Sequence, residues 1–228
     1  TVDEAVAIDE VKRFIAQQDL DAATRFVPEK VIPKVDGEFD QQIAIIGGGP
    51  AGLSCAYYLA EKGYTPTVFE KNEKPGGMLV YGIPSYKLEK DVVAAEIDVI
   101  REMGVDIRCG VEVGKDITLD ELRAKGYKAF YIAIGCQGGR KAGIPGEDAQ
   151  GVMTGVDFLR SINLGKGQSL GGKVLVIGGG NVAIDVARAA VREQAESVAM
   201  YCLESRDEMP ALDEEIQEAE SEGITIHN

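Results

Sequence analysis

Ile43–Gly63, IAIIGGGPAGLSCAYYLAEKG, and Lys173–Arg192, KVLVIGGGNVAIDVARAAVR, are two versions of one pattern: an apolar run, a glycine-rich turn and the start of a helix. In the first, Gly47, Gly49 and Gly52 fall on the spacing G-x-G-x-x-G; in the second, Gly178, Gly180 and Ala183 fall on G-x-G-x-x-A. The first glycine of such a turn lets the chain reverse tightly. The second lets the backbone approach a pyrophosphate, and the third position must be small for the helix to pack on the strand. The helix start then offers N–H groups and a positive dipole end to phosphates. One such pattern is a weak signal. Two, each in strand–turn–helix context, predict two dinucleotides held by one chain, and therefore the movement of electrons between them.

The flanking residues agree. Pro50 opens the first helix, where a missing N–H costs nothing, and Gly63 stands where a helix C-terminal cap belongs. The next apolar run, TPTVFE, ends at Glu70, 18 residues beyond Gly52, at the distance expected of a carboxylate that accepts hydrogen bonds from a ribose. Around the second turn the expected binding residues are Gly178, Gly180, Asn181, Val182 and Ala183. Glu204 lies 21 residues beyond Ala183, again in the place of a ribose-binding acid. Its charge would repel a 2′-phosphate, which leans the reading toward NADH; Arg206, close by, argues for the phosphate.

Composition sets outer bounds. The 228 residues carry a net charge of -14, which argues against a nucleic-acid or anionic-membrane partner, because tracking a phosphate backbone needs a basic face. Acidity concentrates in ESRDEMPALDEEIQEAESEG, read as a solvated helix face. No apolar run approaches a membrane span, and TVDEAVAIDEVKR is not a signal peptide. The scattered Cys55, Cys109, Cys136 and Cys202 fit a reducing cytoplasm, and the one histidine, His227, has no partners for a metal site. No metal site is expected in this chain.

Along the chain, residues 1–20 read as an amphipathic helix with Ala5, Val6, Ile8, Val11, Phe14 and Ile15 on its apolar side. A proline-punctuated connector, FVPEKVIPKVDGEFDQQ, leads to the first strand–helix–strand unit over 42–70. KNEKPGGMLVYGIPSYKLEK then reads as irregular loop, followed by a helix over 89–103, a strand in VDIRCGVEV, a short helix with Thr118 as its cap and Glu121 closing a capping box, and a buried strand in YKAFYIAIG. GVDFLRSIN is a further amphipathic helix. From Lys173 onward come strands near 173–177, 198–202 and 224–227 with helices near 181–193 and 211–222. Three strands are fewer than a doubly wound sheet needs, so the second fold reads as incomplete. The expected architecture is α/β: two Rossmann-like dinucleotide-binding folds, the second partial, behind a short helical segment. Its divisions are 1–37 as helix and linker, 38–155 as the first dinucleotide domain and 156–228 as the second.

GGGPAGLSCAYYLAEKGYTPTVFEKNEKPGGMLVYGIP, AFYIAIG with GIPGED, and VLVIGGGNVAIDVARAAVR with DEMPA together resemble the small, or beta, subunit of glutamate synthase and its relatives. Those relatives include the large subunit of NADH-dependent ferredoxin:NADP oxidoreductase and the flavin half of dihydropyrimidine dehydrogenase. The resemblance implies FAD in the first fold and NAD(P)H in the second. Electrons would then pass to 4Fe–4S clusters in an N-terminal domain and on to a larger subunit, glutamate synthase alpha-like or ferredoxin-linked. No cysteine precedes Cys55, so those clusters would belong to sequence before this stretch, residues 1–37 being the tail of their domain.

Carried over by position, the resemblance places Gly47, Gly49, Ala51 and Gly52 at the FAD pyrophosphate and Glu70 at its adenosine ribose. Gly77, Met78 and Tyr81–Gly82–Ile83–Pro84 would lie along the flavin, with plain packing as the other reading of Met78 and Ile83. Val113 would meet adenine through its backbone, and Gly135 would sit where the domain closes on the cofactor. Two departures stand out. The relatives' Arg-Leu-Pro-Lys is here Lys87–Leu88–Glu89–Lys90, and their Ala-Thr-Gly is Ala133–Ile134–Gly135. No side chain is assigned acid–base chemistry, since the cofactors supply the reaction; Asp185 and Arg188 read as an exposed ion pair on one helix. Two rival readings remain. A thiol-disulfide reductase would need a redox cysteine pair, and MLVYGIP follows Gly76–Gly77 without one. A binding fragment that performs no turnover by itself is the other.

Overall fold

A computed structural model of the chain describes residues 6–167 and 169–228. In chain order the elements begin α1 (Ile8–Leu20), β1 (Gln42–Ile46), α2 (Pro50–Glu61), β2 (Thr67–Glu70) and α3 (Met78–Tyr81). They continue with α4 (Lys90–Glu102), β3 (Asp106–Cys109), α5 (Leu119–Ala124), β4 (Tyr127–Ile132) and α6 (Gly155–Asn163). The last are β5 (Lys173–Ile177), α7 (Asn181–Arg192), β6 (Ser197–Tyr201), α8 (Asp213–Ser221) and β7 (Thr225–His227). The chain packs as two compact units: Thr1–Gly77 with Glu89–Gly135, and Met78–Leu88 with Cys136–Asn228.

The first unit is built on a four-stranded parallel sheet in the order β3-β2-β1-β4. β1 and β2 are central and buried on both faces, which is why they read as unbroken apolar runs. Ile45 and Val68 face Ala56 and Ala60 of α2 together with Met103 and Val105, while Ala44 and Phe69 face Leu122 and Tyr127. Each fully buried aliphatic side chain here contributes about 1.5–3 kcal/mol. α5 carries the expected capping box: the Thr118 hydroxyl accepts from the Glu121 N–H, and the Glu121 carboxylate accepts from the Thr118 N–H at 2.7 Å.

Three expectations need correction. β4 is an edge strand rather than a buried one, and its Tyr131 and Ile132 are exposed because, among the described residues of this unit, none packs over them. The segment after Lys71 is not wholly irregular, since Met78–Tyr81 forms one helical turn. α1 has an apolar side, but Val6, Ile8, Val11, Phe14 and Ile15 all face solvent; residues 1–5, and with them Ala5, lie outside the described residues.

The second unit carries a three-stranded parallel sheet, β5-β6-β7. Val176, Val198 and Met200 share one core with Phe158 and Leu159 of α6, Ile184 and Ala187 of α7, and Ile216 of α8. The opposite sheet face, with Leu175, Ile177 and Tyr201, is exposed. Among the described residues, no helix is long and apolar enough to cross a membrane.

Candidate functional site

The first glycine turn is assembled from four sides. Gly47 takes φ +107° and donates its N–H to Phe69 O at the end of β2 (2.8 Å). A Cβ on Gly47 would collide with Ala133 O, and one on Gly52 would collide with Gly47 O. Both glycines are therefore demanded by the protein's own backbone. Gly49 is different: its φ is -81°, and an added Cβ would meet only Gly77 Cα, at 3.7 Å. Gly49 and Ala51 reach the surface, and the N–H groups of the first turn of α2 have no acceptor within the helix. The mouth of this turn thus fits an anionic group approached by backbone.

The second turn repeats the plan with looser tolerances. Gly178 takes φ +139° and donates to Tyr201 O (2.9 Å). A Cβ on it would meet Ala183 Cβ at 3.4 Å, an ordinary contact, so the third position accommodates alanine. Gly180 is again the open one, with Pro210 Cγ at 3.9 Å the nearest atom to an added Cβ. Asn181 and Val182, at the start of α7, are exposed. Asn181 has a second duty, because its Oδ1 accepts the Leu212 N–H at 2.9 Å and so holds the start of α8.

In both units a returning loop fastens to the middle glycine. Gly76 N–H donates to Gly48 O (2.7 Å), and Ala211 N–H donates to Gly179 O (3.2 Å). Neither Gly76 nor Ala211 stands out in the sequence as a site residue, and the signals that mark them are the Gly76–Gly77 doublet and the Met209–Pro210–Ala211 run. Gly77, at φ +54°, presses its Cα close to Gly49, leaving no room for a side chain.

Each turn also meets an acid, in the predicted place, but the two acids are held differently. Glu70 is 2% exposed. Its Oε2 accepts from Gly48 N–H at 2.7 Å, and its Oε1 accepts from Asn72 N–H (2.8 Å) and Asn72 Nδ2 (2.6 Å). Glu70 therefore braces the turn. Glu204 is exposed, its Oε2 lies 3.2 Å from where a Cβ of Gly179 would be, and among the described residues no hydrogen-bond donor reaches its carboxylate. Arg206, the counter-candidate, is drawn toward α8 by Asp213 (3.6 Å) and Glu220 (3.5 Å).

The remaining predicted residues scatter over both units. Val113 is half-buried and packs near Phe69 and Leu122 in the first unit. Gly135, at φ +64°, is exposed with open space where a Cβ would be. Met78, Gly82 and Ile83 belong to the second unit: Met78 Cε folds onto Gly82, Ile83 N–H donates to Met78 O (2.9 Å), and Ile83 O accepts from Asn163 Nδ2 (3.1 Å). Pro84–Tyr86, α6 and α7 enclose a cavity of about 260 Å³, at the end of α7 remote from the glycine turn.

Asp185 and Arg188 do not form the expected exposed pair. Asp185 bonds Lys87 at 2.5 Å, and burial raises its carboxyl above the ordinary range against the opposing pull of that lysine. Arg188, 8% exposed, binds Glu218 and Glu222 and lies under the Tyr86 ring. Glu222, gripped by Arg192 and then Arg188, is pulled down to about 2. Part of the acidic stretch read as a solvated face is thus a set of counter-ions for α7. The cysteines Cys55, Cys109, Cys136 and Cys202 are all free thiols.

Residues 41–228 match the family described as pyridine nucleotide-disulphide oxidoreductase. The chain is 43% identical, over 99% of its length and 34% of the relative's, to the NADP(+)-dependent formate dehydrogenase subunit beta of Moorella thermoacetica. It is 34% identical, over 96% of its length and 48% of the relative's, to the glutamate synthase [NADPH] small chain of Escherichia coli. The chain spans about a third to a half of the length of these curated relatives. Its fold is similar to that of Mycobacterium tuberculosis FprA in complex with NADPH, with a TM-score of 0.67 at 23% identity, covering 79% of this chain and 47% of that one. With two glycine turns in parallel sheets and a family match over most of its length, this chain belongs to the pyridine nucleotide-disulphide oxidoreductase family.

Proposed function

We propose that the chain is the dinucleotide-binding part of an NAD(P)H-dependent FAD oxidoreductase of the glutamate synthase small-subunit kind, with FAD at the first turn and the nicotinamide dinucleotide at the second. The observation that supports it best is the pair of open glycines, Gly49 and Gly180. Each stands at a helix start, directly after a glycine that an acid abuts, and neither is required by the packing around it. When bound, the two cofactors supply hydride transfer to the flavin and single-electron release to iron–sulfur clusters or a partner.

The chain's own residues bind and orient. Ala51 and Gly52 N–H groups and the positive end of α2 receive one pyrophosphate; Asn181, Val182 and Ala183 at α7 receive the other. Glu70 fixes the first turn through Gly48 and still has lone-pair capacity on Oε2 for a ribose hydroxyl. Gly77, Met78, Gly82 and Ile83 line the flavin side, Val113 lies beside adenine and Gly135 at the closing edge. The acceptor is a larger electron-accepting subunit, glutamate synthase alpha-like or ferredoxin-linked, in the cytoplasm. The test is FAD titration of the full-length protein followed by dye reduction. Stoichiometric flavin that bleaches with reduced nicotinamide supports the reading, and a colourless protein that binds neither cofactor overturns it.

Glu204 sets the second cofactor as NADH in this reading. Its uncommitted carboxylate suits a ribose diol, and Arg206 is occupied by α8. This is the opposite choice to the one in the names of the two curated relatives above. The full-length protein is expected to prefer NADH in kcat/KM by about tenfold, equivalent to ~1.4 kcal/mol. Glu204→Gln should erase most of that margin, and a clear NADPH preference in the unsubstituted protein defeats the assignment.

A further inference from the structure

Residues Met78–Leu88 follow directly from Gly77, which lies against the first glycine turn, yet they belong to the second unit. Three helices hold them. On α6, Arg160 lies over the Tyr81 ring (4.9 Å) and Asn163 bonds Ile83 O. On α7, Arg188 and Arg192 lie over the Tyr86 ring at 5.0 and 4.0 Å, and burial beside Asp185 pushes the Tyr86 hydroxyl up to about 12. The tightest hold is ionic: the Lys87 ammonium sits between Asp185 of α7 (2.5 Å) and Glu215 of α8 (2.8 Å), with all three side chains less than a quarter exposed.

An exposed ion pair would be worth about 1 kcal/mol or less. A mostly buried one is different, because removing the lysine would leave two carboxylates facing each other out of water. The position of that lysine along α7 is what matters. Asp185 is one helical turn, about 6 Å of axial rise, beyond Asn181 at the mouth of the second glycine turn. Asn181 holds Leu212 at the start of α8, Ala211 holds Gly179, and Lys87 clasps both helices one turn further in. The helix starts that flank the second turn and the segment leaving Gly77 are therefore one connected set of bonds.

We propose that Met78–Leu88 is a strap and Lys87 its positioning residue: through Asp185 and Glu215, Lys87 makes the placement of the strap depend on whether a dinucleotide occupies the second glycine turn. The flavin-facing role of the strap rests on the functional reading above; its attachment to α7 and α8 does not. Lys87 has no contact with substrate or cofactor in this account and acts through the helices.

The experiment is amide hydrogen exchange on the full-length protein, with and without saturating NAD+ and, separately, NADP+, alongside NAD+ titration of the flavin-free and flavin-loaded forms. In the unsubstituted protein, nucleotide should slow exchange within 78–88, and flavin should change NAD+ affinity by about fivefold or more, the lower range of coupling between sites. Lys87→Met should abolish both responses while the rest of the second unit keeps its protection, and Lys87→Arg should restore them. If methionine unfolds the unit, Lys87→Gln with Asp185→Asn removes one charge of each sign and carries the same expectations. A Lys87 variant that responds like the unsubstituted protein overturns the strap, and so does one that loosens the whole second unit equally, since that is a structural role. If the unsubstituted protein takes up no flavin, the functional reading falls and the strap's flavin side falls with it; if flavin binds and 78–88 ignores the nucleotide, only the strap falls.

Discussion

The two glycine turns of this chain share one geometry and differ in what makes them glycine. At the first, the backbone of the protein itself forbids a side chain on Gly47 and Gly52, through Ala133 O and Gly47 O. At the second, the corresponding third position is already Ala183, and Gly178 is limited by its positive φ rather than by a neighbour. The acids differ in the same sense: Glu70 is buried and braces the turn, while Glu204 is exposed and uncommitted. The first turn is locked by its unit; the second is left adaptable. Motif glycines are therefore of two kinds, those that the chain's own backbone requires and those, Gly49 and Gly180, that it does not, and that the proposed dinucleotides would require.

The comparison is tested hardest by alanine. Gly52→Ala should cost ~3 kcal/mol or more, because its Cβ collides with backbone that has nowhere to go. The reverse change at the second turn, Ala183→Gly, should cost only about 1 kcal/mol, the ordinary helix penalty. Denaturant unfolding of the two variants reads this directly, and equal losses would erase the distinction between the turns. Gly178→Ala falls between them, at roughly 1–2 kcal/mol for left-handed strain without a clash.

A smaller effect concerns acid. Glu222 has its folded value pulled from the ordinary 4.5 down to about 2 by Arg192 and Arg188. A depressed carboxyl stabilises the folded state fully above its ordinary value and loses that contribution as pH falls toward the folded value. The contribution of Glu222 to the α7–α8 packing should therefore be constant above about pH 5 and weaken between about 4.5 and 2. Glu222→Gln should flatten that part of the profile, and an unchanged acid slope would show that the arginine grip contributes nothing.

Most of the fold was legible because its signals are local. Glycine spacing, apolar runs, Pro50 at a helix start and the Thr118–Glu121 capping box each act within a few residues, and each sits where the sequence placed it. Legibility ended where a distant partner decides. Asp185 and Arg188 are three apart on a helix and read as a local pair, but Lys87 and Glu222 claim them from far along the chain. Lys87 itself registered only as a departure from the relatives' arginine. β4 read as buried from its apolar content, since nothing local says that one face of an edge strand lacks a covering layer. The acids were found by distance from the glycines, but which one was braced and which one free depended on Asn72 and Gly48 closing around Glu70.

The proposed assignment of FAD to the turn of Gly49 and of the nicotinamide dinucleotide to that of Gly180 is tested most directly by one measurement. Flavin content and NAD+ affinity are determined side by side for Gly49→Val and Gly180→Val in the full-length protein. Both positions have extended backbone and only ordinary van der Waals neighbours around an added Cβ, so both variants should fold, which their unfolding curves check. The account predicts that Gly49→Val loses its flavin and keeps nicotinamide binding, while Gly180→Val keeps a full complement of flavin and loses NAD+. Flavin lost from Gly180→Val and retained by Gly49→Val would contradict it.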